Sequence, residues 1–118
     1  MRTYLVTLQD AAAATGNGTA MLATGYSILA FQVSGTFVGT VTFEGTVDNT
    51  NWVAIQAMNS ANGTVATTAT AAGVYVAFVG GFSQARARVT WTSGTSVTVK
   101  GQALAGGGNW PLSALLTE

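Results

Sequence analysis

From Ile28 to Met58 apolar residues recur at every second position: Leu29, Phe31 and Val33, then Val41, Phe43 and Val47, then Val53 and Ile55. A two-residue period lines such residues up on one face of an extended strand and scatters them around a helix, so this stretch folds as pleated strands with one apolar face. The polar cluster Asp48-Asn49-Thr50-Asn51 separates the second run from the third. Asp and Asn side chains bond back to nearby amides and tolerate left-handed backbone, so the chain is expected to reverse there. The expectation is a meander of three strands.

The flanking chain repeats the pattern. Tyr4, Val6 and Leu8 alternate with Thr3, Leu5 and Thr7, a first strand expected at an edge. Ala11 to Ala14 meets Thr15-Gly16-Asn17-Gly18 too soon to nucleate a helix and reads as a loop, and Thr19 to Ala23 reads as a short strand. Beyond the turn cluster at residues 59–63, Thr64 to Ala72 is weakly patterned and reads as an edge strand or an ordered loop. Val74 to Val79 is apolar on both faces, as in a strand that is fully buried or whose outer face lies under a partner. In Gln84 to Trp91, Ala85, Ala87, Val89 and Trp91 share one side, and Gln84, Arg86, Arg88 and Thr90 the other. Thr92-Ser93-Gly94-Thr95 reads as a tight turn into Ser96–Lys100, which completes a hairpin. About eight strands with turn signals every ~8–12 residues indicate an all-β, antiparallel β-sandwich of jelly-roll type. The expected layout is one domain, 1–105, followed by a Gly-rich C-terminal tail, 106–118, with at most one helical turn near Leu112–Leu116.

Composition then limits chemistry. The 118 residues include no Cys and no His, which removes thiolate sites, disulfides, imidazole bases and His-ligated zinc together. Charged residues make up 7% and the formal net charge is zero, too little positive charge to neutralise a nucleic-acid backbone. No apolar run approaches the ~20 residues of a spanning helix, and the start of the chain meets Thr7, Gln9 and Asp10 before a signal-peptide core could form. The expectations are no enzyme activity, no cofactor, no metal, no nucleic-acid or membrane partner, and a protein made in the cytoplasm and later assembled, not secreted. A surface of Thr, Ser, Asn, Gly and Ala with almost no charge favours close contact with other protein, so a homo-oligomer is expected.

Several residues admit two readings. Asp48, Asn49, Asn51 and Trp52, with Trp91, have the makings of a carbohydrate platform; alternatively the polar residues shape a turn and the indoles pack inward. Glu44 and Asp48 stand ~13 Å apart on one extended strand, beyond the separation glycoside hydrolysis uses. Arg86 and Arg88 point the same way, either as a solvated face paired with Glu44 or Asp48, or as an intersubunit contact. Trp110, Pro111 and Leu112 follow Gly106-Gly107-Gly108 and either fold back over an open edge of the domain or reach a neighbour.

The string GTVTFEGTVDNTNW at residues 39–52, followed by GVYVAFVGGFSQARARVTWTSGTSVTVKGQAL at residues 73–104, resembles a recurring β-sandwich module of tailed-bacteriophage virion proteins. The likeness covers roughly residues 28–104, with Asn49 standing where the module often has Gly. It implies a virion structural protein, with capsid decoration or cement as the expected role. A trimer on the capsid surface would then contact the major capsid protein or another virion protein through Tyr75, Arg86, Arg88, Trp110, Pro111 and Leu112. The alternative it implies is a tail-fibre or baseplate module that binds a host receptor or glycan.

Overall fold

The structure, a computed structural model, describes residues 2–105. Among the described residues, nine strands form one antiparallel sheet. Its spine is a pair of long strands, β3 (Ile28–Thr46) and β9 (Gln84–Ala105), hydrogen-bonded from Ile28↔Leu104 at one end to Thr46↔Gln84 at the other. Midway the register shifts between Thr36 and Phe37 and between Val38 and Gly39. Gly35 (φ 115°) and Gly94 (φ 117°) stand at this crease with backbone that L side chains rarely adopt. A Cβ on Gly94 would lie 2.6 Å from the Phe37 Cα.

These bulges bend both strands together, and the sheet folds over onto itself. Phe31 and Phe43 are twelve residues apart on β3, roughly 40 Å if the strand ran straight. Their rings are 4.6 Å apart, and Phe43 is 5.4 Å from Tyr75. One arm of the fold therefore faces the other across a core that includes Leu29, Phe31, Val33, Val97 and Val99 from the first arm and Val41, Phe43, Ala87 and Val89 from the second. The first arm carries β1 (Arg2–Ala12) outside β9, and β8 (Gly73–Phe78), β5 (Ala57–Asn59) and β6 (Val65–Ala66) in succession outside β3. The second arm is edged by β2 (Met21–Leu22) on β9 and by β4 (Val53–Ala54) and β7 (Thr68–Ala69) on β3. Buried Gln9 ties the arms: it lies at a bulge of β1, and its Nε2 donates to the Ala87 carbonyl at 2.8 Å.

The all-β antiparallel expectation holds, as do β1 at an edge and the reversal at Asp48–Asn51, where Glu44↔Ala54 and Gly45↔Val53 pair across the turn. Three expectations fail. The first two runs of the expected meander form one strand, and so do the segments on either side of Thr92–Thr95, because partner strand continues on both sides and the extra residues Thr92 and Thr95 are taken up as bulges. Val47 and Val53 are not core residues but flank the turn, both more than half exposed. Ala11 and Ala12 extend β1 instead of opening a loop, with Ala11 in left-handed geometry (φ 48°).

Candidate functional site

Glu44 lies on the outer face of the second arm, where alternation places it opposite the core residues Val41 and Phe43. Register sets it directly across from Arg86, and Thr42 across from Arg88. Arg86 Nε donates to Glu44 Oε1 at 2.8 Å and Arg88 Nε to Oε2 at 3.0 Å, so one carboxylate is gripped from both sides. Its side chain is only 9% exposed, Arg86's 16%, and Arg88's 37%. Burial pushes the Glu44 carboxyl up, but hydrogen bonds from Arg86 and Arg88, with the charges behind them, outweigh it and hold the group below its ordinary value. Trp52 closes the other side: the Arg86 guanidinium carbon sits 4.1 Å from the centre of its ring, a cation–π stack. The cluster has two cations for one anion. Both arginines hold Glu44 through Nε, and among the described residues their Nη groups make no further hydrogen bond.

The adjoining turn is organised by Asp48. Its Oδ1 accepts from the backbone N–H of Asn51 (2.8 Å) and Thr50 (2.9 Å) and from the Thr46 hydroxyl (3.1 Å), while Oδ2 accepts from Asn51 Nδ2 (2.7 Å). These donors, the Asn51 amide first, hold the Asp48 carboxyl well below the usual carboxylate range. Asn49 takes φ 65°, the left-handed geometry that Asn tolerates better than most side chains. The Ser83 N–H donates to the Thr46 carbonyl at 2.8 Å and fastens the turn to the start of β9.

Of the residues singled out from the sequence, Arg86 and Arg88 share a face as expected, and their partner is Glu44, not Asp48. Tyr75 is corrected: it points into the core at 6% exposure, donates its hydroxyl to the Ala71 carbonyl at 2.8 Å, and has no face to offer a partner. The second face of its strand is made by Val74, Val76 and Phe78. Trp110, Pro111 and Leu112 lie outside the described residues. The sugar platform does not form, because one face of Trp52 is taken by Arg86 and Trp91 packs against the core. Sequence reasoning missed the Trp52–Arg86 stack, since the two meet only through the turn that brings β4 back along β3. Among the described residues no group of three or more His, Cys, Asp or Glu could hold a metal ion, and no helix is long and apolar enough to cross a membrane.

The XepA family model matches residues 2–103. Two solved structures share the fold. The "SPBc2 prophage-derived protein YomS" superposes with a TM-score of 0.81 at 18% identity over 86% of this chain and 92% of that one. The "PBSX exported protein XepA" superposes with a TM-score of 0.83 at 20% identity over 86% of this chain, which spans 37% of XepA's length. No curated protein sequence matches the chain. These matches overturn the reading drawn from the resemblance. The relatives are prophage-related, but neither is described as a virion structural module, so the capsid decoration role and its tail-fibre alternative are withdrawn. The capsid-surface location falls with them, since XepA is described as an exported protein.

Proposed function

The chain belongs to the XepA family, and on that footing we propose that it is a non-catalytic module that works by self-association through the Arg86–Glu44–Arg88–Trp52 face. The observation that supports this reading is the partial use of both guanidiniums. Each spends its Nε on Glu44, and their Nη groups remain to receive an acceptor from outside. Arg and Trp are the residue types that most often dominate association energies, and an arginine already fixed by an intramolecular contact loses less side-chain entropy on binding. A carboxylate or a row of carbonyls on a second copy fits the remaining donors.

The chemistry of the acids supports the non-catalytic part. Glu44 is fully engaged by two cations and Asp48 by four donors, so both stay ionised acceptors with no proton to exchange near neutral pH. With no His and no Cys in the chain, the usual nucleophile and base pairs have no members here.

The test is the mass of the wild-type protein in solution and of Arg88→Ala, a change at the more exposed arginine. The wild type is expected to run as an oligomer, whose order is read from the same measurement. Arg88→Ala is expected to shift it toward monomer at a given concentration. A wild type that stays monomeric at ~100 µM, or an oligomer indifferent to Arg88→Ala, would overturn the proposal.

A further inference from the structure

The outer face of the first arm points away from the arginine face and has the wrong composition for water. An antiparallel sheet with one face in the core is ordinarily polar on the other. Here Leu5, Ile28, Ala30, Val74, Val76 and Leu104 line an open groove of about 340 Å³. Register makes it continuous across strands: Met58 pairs with Val76, Val76 with Ala30, Ala30 with Gln102 and Gln102 with Leu5. Leu5 is 60% exposed, and Phe78, beside Ile28 in the next row, is 71% exposed. Gln102 and Lys100 are polar members of the lining.

We propose that this groove is the seat of the chain's own segment Trp110–Leu116, bound in the same molecule. Position supports it first. The described chain ends at Ala105, immediately after Leu104, which is itself part of the groove wall. The chain that leads to the segment therefore leaves the described fold at the edge of the groove. Reach supports it next. The five residue steps from Ala105 to Trp110 span at most ~18 Å, whereas the groove from Leu104 back to Lys100 measures ~13 Å along β9. Trp110 can be placed anywhere along it, and Gly106-Gly107-Gly108 present no side chain that opposes doubling back.

Chemistry agrees. Leu112, Leu115 and Leu116 stand at i, i+3 and i+4, the spacing that gathers apolar groups on one side of a helical turn, and Trp110 and Pro111 add to the same apolar block. An indole N–H brought onto the groove meets the amide oxygen of Gln102 or Gln32 as acceptor. Glu118 is the sole charged residue of 106–118, and Lys100 is the sole charged residue of the groove lining, with opposite sign. A short tether keeps the effective concentration of the segment near the millimolar range, so a separate partner meets this face only in competition with it. The family match stops at residue 103, so the segment lies beyond the part of the chain that the family model covers.

The chain's lack of cysteine makes the test direct. Full-length Ala30→Cys/Leu112→Cys and Val76→Cys/Leu112→Cys are oxidised under dilute conditions beside Thr90→Cys/Leu112→Cys, whose first cysteine replaces an exposed residue of the other arm. Circular dichroism confirms that all three fold, and the two groove positions guard against a defect at either. The groove pairs are expected to close an intramolecular disulfide roughly tenfold or more faster than the Thr90 pair, at a rate independent of protein concentration. Equal rates in the three variants overturn the proposal. So does cross-linking into dimers at a rate that rises with concentration, which would seat the segment on a neighbouring copy.

Discussion

Replacing Glu44 by Gln keeps the shape of the side chain and removes the only anion between two guanidiniums. The Arg86 hydrogen bond, at 2.8 Å between side chains 16% and 9% exposed, is charge-assisted and shielded, worth about 1.5–3 kcal/mol. The Arg88 bond, at 3.0 Å with Arg88 37% exposed, is discounted for solvent to about 0.5–1 kcal/mol. Left unpaired, the arginines also repel each other, so Glu44→Gln is expected to cost about 2–4 kcal/mol, against about 0.5–1 kcal/mol for Arg88→Ala, which leaves the more shielded pair intact. The assay is urea unfolding at pH 7 for both variants, repeated in ~1 M salt, where screening should return part of the Glu44→Gln loss. Replacing all three residues by Met or Leu should cost less than Glu44→Gln alone, because no buried charge is then left without a partner. A Glu44→Gln loss under about 0.5 kcal/mol, or one no larger than that of Arg88→Ala, would refute the assignment of the carboxylate as the centre that holds this face together.

Three further outcomes follow from the same geometry. Phe43→Ala removes a fully buried ring that touches both Phe31 and Tyr75, and is expected to lower stability by about 3–5 kcal/mol in urea unfolding. Gly94→Ala places a Cβ 2.6 Å from the Phe37 Cα at a residue with φ 117°, so a loss of more than about 1 kcal/mol is expected in urea unfolding. Asp48 has a folded-state pKa below its ordinary 3.8, so its contribution is complete above that value and is lost as the pH falls toward the folded pKa. Asp48→Asn should therefore flatten the stability profile between about pH 4 and pH 2 and leave the remaining slope to groups such as Glu44, itself lowered from 4.5.

Much of this fold is readable from local pattern, and the exceptions share one cause. Leu29, Phe31, Val33, Val41 and Phe43 are all buried where the two-residue period puts them, since strand phase is set by neighbouring pleats. The pairing of Arg86 with Arg88 on one face and the Asp48 turn are local in the same sense. Val74 to Phe78 is apolar at every position, so its phase carried no signal, and Tyr75 turned inward where the outer face had been expected. Gly94 illustrates the other failure: a tight turn and a bulge both call for positive φ, and only the unbroken partner strand distinguishes them.

What the sequence determined by itself is an all-β chain, the inward face of most of its strands, and the residue types available for chemistry. Tertiary structure alone decided that two of those strands run through the crease and fold back on themselves, that Glu44 and not Asp48 lies between the arginines, and that Trp52 caps one of them. The physical reason is range. Alternation and turn chemistry act over two to four residues, whereas register joins Glu44 to a residue 42 positions away, and its value depends on every pair between the crease and the end of the strand.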